Sequence, residues 1–191
     1  MANNLQNDIN LLFEMGCLRF IDRNWKQFFG ADFANLSEHH LRVIWIALII
    51  AKYEKVKNIE KILKMALVHD IVESRTGDLD KMQRKYVQRD EDKAIKDIFN
   101  DSIMGDELIK LWQEYEQCES KEARIVKDAD ILDIDFEMKE QEIKGYKFSP
   151  KWARYRQSLY NKKLYSKTAK QIWKNLQKAD PHAWHIKGGS V

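Results

Sequence analysis

The sequence predicts an all-α protein, a bundle of helices, on three observations. Only two prolines and seven glycines occur in 191 residues, which leaves little of the chemistry that tight turns need. Apolar residues recur at helical spacing in one segment after another. No stretch shows the period of two that a half-buried strand requires. The length suits one compact domain, and a hydrophobic fraction of 44% is enough to bury a core. Residues 1–191 therefore read as a single domain, with no repeat, low-complexity run or Ser/Gly linker to divide it.

The elements follow in order. Leu5, Ile9, Leu12 and Phe13 share one face of a first helix. Ser37 is a plausible N-cap for a helix over Glu38–Lys55, whose apolar residues cover nearly every side, so it should be central. Asn58 can cap the next helix, striped by Ile59, Ile62, Leu63, Ala66 and Leu67, which should run through His69-Asp70 and end near Thr76-Gly77. Residues 78–89 are poorly patterned. Ala94, Ile95 and Ile98 suggest a short helix, and Leu108, Leu111, Trp112 and Tyr115 another. Ser120 opens a longer one reaching about Glu142. Ser149-Pro150 looks like a cap followed by proline at the first helical position. Two basic helices follow, over about Trp152–Tyr160 and Tyr165–Lys178, before Asp180-Pro181 stops the second.

The net charge of +3 hides an asymmetry. Residues 143–191 hold 12 of the 33 Lys/Arg and one of the 30 acids, so a basic C-terminal section, about 145–180, follows an acidic body. That section either binds nucleic acid or is attracted to the rest of its own fold. Residues 1–15 show no basic start followed by an apolar run. The longest apolar stretch, Val43–Ala51, is too short to span a bilayer. Cys17 and Cys118 lie far apart and read as free thiols. A cytoplasmic protein without a membrane partner is expected.

Chemistry concentrates around the doublet His69-Asp70, within Leu67-Val68-His69-Asp70-Ile71-Val72-Glu73. Alone, the doublet reads equally as a helix-end pair. His39 opens the preceding helix, however, and Asp130 lies in a later one in line with Val126 and Ile134. A carboxylate on a core-facing stripe needs a partner, because an unpaired buried charge is costly. A metal would be that partner. Two imidazoles and two carboxylates suit a borderline divalent ion (Mn²⁺, Co²⁺, Fe²⁺, Ni²⁺ or Zn²⁺, with Mg²⁺ retained as a candidate) better than Ca²⁺. Four protein ligands leave positions open for water, which loses a proton near neutral pH beside such an ion.

At this point the chain resembles the HD-domain phosphohydrolases, whose signature is a His, an HD doublet and a distant Asp, all on helices. Within that superfamily it is most similar to the 5′-deoxynucleotidase branch. The matching stretches are Leu18-Arg19-Phe20-Ile21-Asp22-Arg23, Ser37-Glu38-His39, Leu67–Glu73, Thr76-Gly77-Asp78-Leu79 and Ile125-Val126-Lys127-Asp128-Ala129-Asp130, within core motifs spanning about 18–140. The resemblance implies an HD-like helical bundle with His39, His69, Asp70 and Asp130 as ligands of one divalent metal. It implies Glu73 beside the water, Asp78 as candidate general acid near the leaving oxygen, and Arg23 as a phosphate clamp. The family often places a Trp directly after the clamp Arg or two residues beyond a Gly, near the sugar; the run here departs from that as Arg23-Asn24-Trp25, with Trp25 as the candidate for the role. Glu114 matches a further acidic position after one gap. The substrate implied is a nucleoside 5′-monophosphate and the assembly a homodimer.

Each residue has a plainer reading. His39 could be a satisfied core histidine, with adjacent His40 as the control expected not to ligate. Asp128, Asp133 and Asp135 compete with Asp130, which alone fits the family register. Asp78 could cap a helix, Arg23 could be a surface arginine, and His182 and His185 are expected to bind nothing. Other superfamily chemistries remain open: hydrolysis of a triphosphate, a cyclic nucleotide or (p)ppGpp. A different class altogether is a nucleic-acid-binding protein, using Lys151, Arg154, Arg156, Lys162, Lys163, Lys167, Lys170, Lys174 and Lys178 with interleaved Trp152, Tyr155, Tyr160, Tyr165 and Trp173. An amphipathic pair of helices with its aromatics inward is the reading we prefer for that section.

Overall fold

The structure, a computed structural model, describes residues 2–186; Met1 and 187–191, included in the expected single domain, lie outside the described residues. It is helical as expected. Among the described residues, extended pairing is confined to an isolated bridge between Asp22 and Asn35. The helices are α1 (Ala2–Cys17), α2 (Trp25–Phe29), α3 (Leu36–Tyr53), α4 (Ile59–Val68), α5 (Glu73–Thr76), α6 (Glu91–Ile98), α7 (Gly105–Gln117), α8 (Lys121–Ile143), α9 (Pro150–Lys163), α10 (Lys167–Leu176) and α11 (Ala183–Ile186).

The centre is α3 packed between α4 and α8, with α7 and α10 closing the core. Helix α3 buries Leu36, His39, Val43, Ile46, Ala47 and Ile50 on one face, the three-and-four spacing of an amphipathic helix. Its cap is Asn35, two residues earlier than Ser37. The Asn35 side chain accepts from Glu38 N, and the Glu38 carboxylate accepts from Asn35 N. This reciprocal pair satisfies two orphan donors where a lone serine would satisfy one. Asn58 and Ser120 cap α4 and α8 as expected, and Ser149 with Pro150 opens α9.

Two expectations are corrected. Leu5, Leu12 and Phe13 of α1 are 65–74% exposed; Leu11 and Met15 pack on the core instead. Both faces of α1 carry apolar residues, so periodicity did not single out the inner one. Second, α4 does not continue to Thr76. It ends at Val68, and 69–72 form turns before α5. That break turns His69 and Asp70 inward together. Gly77 then adopts φ +75 at the end of α5, a conformation that disfavours a side chain, and returns the chain toward α2.

The basic section docks on the body through carboxylates. Asp128 accepts from Tyr165 N and Ser166 N at 2.7 and 2.8 Å. Glu54 accepts from Thr168 N at 3.1 Å and Thr168 Oγ1 at 2.7 Å. The first free amides of α10 are thereby satisfied by acids from the acidic half. The Thr168 hydrogen bonds hold the Glu54 carboxyl below its ordinary range, outweighing burial. A depressed carboxylate gives stability that is present above the ordinary pKa and lost as pH falls through the folded value. Glu54→Ala should therefore lower stability at neutral pH by about 1 kcal/mol or less, since water screens a partly exposed group. Thermal melts of both proteins should converge below about pH 4. A gap that stays constant with pH would show that the carboxylate charge is not responsible.

Candidate metal centre and its cavity

His39 sits in the second turn of α3, His69 and Asp70 in the turn after α4, and Asp130 in the middle of α8. One ligand atom from each lies within 4.8 Å of all the others. The Nε2 atoms of His39 and His69 are 3.2 Å apart. Asp70 Oδ2 is 3.5 Å from each of them, and Asp130 Oδ1 is 3.5 Å from His39 Nε2. Ligand atoms on a common ion at ordinary bond lengths stand about 3–4 Å apart. Both rings have their other nitrogen committed. His39 Nδ1 donates to Asp133 Oδ2 at 2.7 Å, and His69 Nδ1 donates to Ala66 O at 2.8 Å. Neutral rings so held aim two Nε2 lone pairs at one point beside two carboxylates, an arrangement that calls for a cation. The donor set therefore fits a divalent metal.

Without an ion, the carboxylates draw a proton to this point instead, which a metal would displace. Burial and Arg23 oppose a charged His39, but hydrogen bonds to Asp133 and Asp70 prevail and push it up to about 9. Burial pushes His69 down. Asp70 is held well below the usual carboxylate range despite its burial, by His69, His39 and Arg23. Glu73 is raised well above its ordinary value, first by burial and then by Asp70 and Asp78. His40, also buried, is not one of the four; its Nε2 has no hydrogen-bond partner and burial lowers its pKa.

The centre opens into a cavity of about 580 Å³. Arg23, Trp25, Glu73 and Asp78 line it beside His69, Asp70 and Asp130. Arg23 is 8% exposed and pairs with Asp78 at 3.0 Å, with Asp70 and Glu73 at 3.7 and 3.8 Å. Its Nε has no partner. Asn24 fixes Asp78 through both its side chain and its backbone amide, at 2.6 and 3.3 Å, so Asp78 caps no helix. Glu73 is ringed by Arg23, Arg84 and Arg89 at 3.6–3.9 Å, yet its Oε2 accepts no hydrogen bond. The structure does not bring Glu114 to this group. Its carboxylate meets Lys61 at 2.7 Å, whereas Glu116, two residues on, lines the cavity. The two residues project from different sides of α7, which a one-gap sequence match cannot distinguish. His182 and His185 lie in the exposed tail, facing each other at 2.9 Å.

Three further groups at the centre and its cavity escape sequence reasoning. Asp133, 1% exposed, orients His39; its place three residues past Asp130 was the available signal. Tyr115 Oη donates to Asp130 Oδ2 at 3.4 Å, across from α7. The third is α9, whose Trp152, Tyr155, Arg156 and Leu159 wall the cavity. Removing the carboxylate behind a ligating imidazole typically lowers metal affinity about 10–100-fold. Asp133→Ala should show that loss in competition with a chelating dye, with Asp133→Asn intermediate. Unchanged affinity in a folded Asp133→Ala protein would remove Asp133 from the centre.

Helices that converge two histidines and two aspartates on one point, beneath an arginine-lined cavity, define an all-α imidazole–carboxylate metal-site protein. The chain belongs to the HD domain family, whose sequence profile matches residues 15–177. It is 37% identical over 119 residues to a Dictyostelium discoideum protein named 5′-deoxynucleotidase HDDC2, a match covering 56% of this chain and 63% of that one. It is 32% identical over 113 residues to the human protein of the same name, covering 56% and 54%. The matches thus span between about half and two thirds of these curated relatives. Among solved structures, a conserved hypothetical protein from Pyrococcus furiosus superposes with a TM-score of 0.74 at 28% identity, covering 90% of this chain and 99% of that one. A predicted metal-dependent phosphohydrolase from Magnetospirillum magnetotacticum gives 0.70 at 26% identity, covering 92% and 94%.

Proposed function

We propose that this chain, acting as one HD domain, is a metal-dependent 5′-nucleotidase that removes phosphate from (deoxy)ribonucleoside 5′-monophosphates. The observation that carries the reading is the convergence of the four-donor cluster, the buried Arg23 and the unengaged Glu73 oxygen on one cavity. The names of the curated relatives support it. His39, His69, Asp70 and Asp130 would hold one divalent ion, which supplies Lewis acidity toward a phosphoryl oxygen and acidifies water. Glu73 would orient that water and take up its proton through Oε2. Arg23 holds phosphate oxygens with its guanidinium, already placed by Asp78. Asp78, fixed by Asn24 and paired with Arg23, would pass to the leaving oxygen the proton released by the attacking water. Trp25 borders the sugar.

Charge favours a monophosphate over a triphosphate. Seven carboxylates and six cationic side chains line the cavity. With one divalent ion the wall is only slightly positive, a match for a single phosphate dianion. The basic C-terminal section gives little support to nucleic-acid binding. Trp152 and Tyr155 face the cavity and Trp173 packs on Tyr160 at 4.6 Å, so their faces are not offered to an extended strand.

Product analysis tests the reaction class. Monophosphates should yield free phosphate, with triphosphates and cyclic nucleotides left intact; pyrophosphate or tripolyphosphate as product would replace this reading with another. Glu73→Ala should cut turnover while metal content stays near one ion per chain. Loss of the metal in that variant would make Glu73 a ligand. A cytoplasmic homodimer completes the proposal. It is supported by two free cysteines and by a stripe on α3, Leu41, Trp45 and Ile49, 48–61% exposed. Light scattering at a monomer's mass would overturn the dimer. No described helix is long and apolar enough to cross a membrane.

A further inference from the structure

The inner face of α9 both packs on α8 and fronts the cavity. Trp152, Tyr155, Arg156 and Leu159 occupy positions i, i+3, i+4 and i+7, one stripe of a helix, and that stripe fronts the cavity. The wall is held rigidly. Arg156, 6% exposed, donates to both oxygens of Asp135 at 2.8 and 2.5 Å and to Ile131 O at 2.6 Å. Trp152 donates from Nε1 to Met138 Sδ and meets Trp25 edge-on at 5.3 Å. Tyr155 lies against Trp152 at 5.2 Å, with 41° between the rings. Across the mouth, Lys81 Nζ donates to Tyr155 Oη at 2.9 Å. Ile131 and Ile134 of α8, beside the ligand Asp130, complete an apolar floor between this wall and the metal centre.

A phosphate ion needs none of this. The cavity has the volume of a small-molecule site, polar and cationic at the Arg23 end, aromatic and apolar at the α9 end. We propose that Tyr155, backed by Trp152, is the surface on which the flat aromatic base of the leaving group stacks. Aromatic nucleoside phosphates are thereby favoured over base-free sugar phosphates. This rests on the monophosphatase reading and deepens it, since it assigns specificity to a section whose role sequence alone leaves unassigned. Stacking on a π-face tolerates any base, so the wall selects for the presence of a base, not its identity.

The test compares dAMP with 2-deoxyribose 5-phosphate, using metal-loaded wild type and Tyr155→Ala, Tyr155→Leu and Tyr155→Phe. Losing one stacking face should raise KM for dAMP roughly 10- to 100-fold in the Ala and Leu variants. The base-free substrate should be almost unaffected, and Tyr155→Phe should behave like wild type. Equal losses on both substrates, or none on dAMP, would overturn the proposal. Calorimetric binding of the same two compounds is the parallel readout. If wild type releases phosphate from neither, the monophosphatase reading fails. The stacking claim then stands only if dAMP still binds more tightly than 2-deoxyribose 5-phosphate and loses that advantage in Tyr155→Leu.

Discussion

Asp70→Ala is expected to lose its metal and to release phosphate about three orders of magnitude more slowly than wild type, because a Lewis acid at the reacting oxygen supplies several kcal/mol. Asp70 is the hub of the centre. Its Oδ2 lies 3.5 Å from both histidine Nε2 atoms and 3.7 Å from Arg23. Without it, the two Nε2 atoms retain only Asp130 as a carboxylate neighbour. The fold should survive. Asp70 sits in a turn with a side chain 22% exposed, and Arg23 keeps its 3.0 Å pair with Asp78. Elemental analysis and phosphate release are measured together on the same preparation. A variant that keeps both metal and full turnover would refute the ligand assignment.

Arg156→Met is expected to cost about 3–5 kcal/mol of stability, since it strands a buried carboxylate. For a chain of this length that corresponds to a fall in Tm of roughly 10 °C. Asp135 is 7% exposed, and burial already raises its pKa despite the Arg156 hydrogen bonds. A carboxyl whose folded pKa is raised destabilises the native state above that pKa and ceases to do so once protonated. The deficit should therefore be largest at neutral pH and shrink toward acid pH. Replacing the pair together, Arg156→Met with Asp135→Leu, should recover much of the loss, because the desolvated charge is gone. A small deficit in the single variant, independent of pH, would show that the pair does not anchor α9.

The bundle and the four-donor cluster were legible in the sequence for definite reasons. Caps at Asn58, Ser120 and Ser149 are local chemistry, and the apolar rows of α6, α7 and α8 are wide enough to fix a face. The cluster was legible through register: four aspartates crowd residues 128–135 of α8, and only the spacing of Val126-Lys127 to Asp130 chose among them. The structure gives each of the others its own partner. Asp128 holds the start of α10, Asp133 holds His39, and Asp135 holds Arg156. Those partners come from 21 to 94 residues away, a distance over which periodicity carries no information. The same limit explains Glu114, where helix rotation rather than composition decides between it and Glu116. It also explains α1, whose two apolar faces could not be ranked without their neighbours. The break at His69 was not visible either, since Leu67–Glu73 contains no proline or glycine to mark it.

The most direct test is phosphate release by chelator-stripped protein from a panel of deoxy- and ribonucleoside 5′-monophosphates, before and after adding Mn²⁺, Co²⁺, Ni²⁺, Zn²⁺ or Mg²⁺. The expected result is no release from the stripped protein, recovery with at least one ion, and inorganic phosphate as the sole phosphorus product. Full release from protein shown by elemental analysis to be metal-free, or none with any ion, would contradict a metal-dependent nucleotidase.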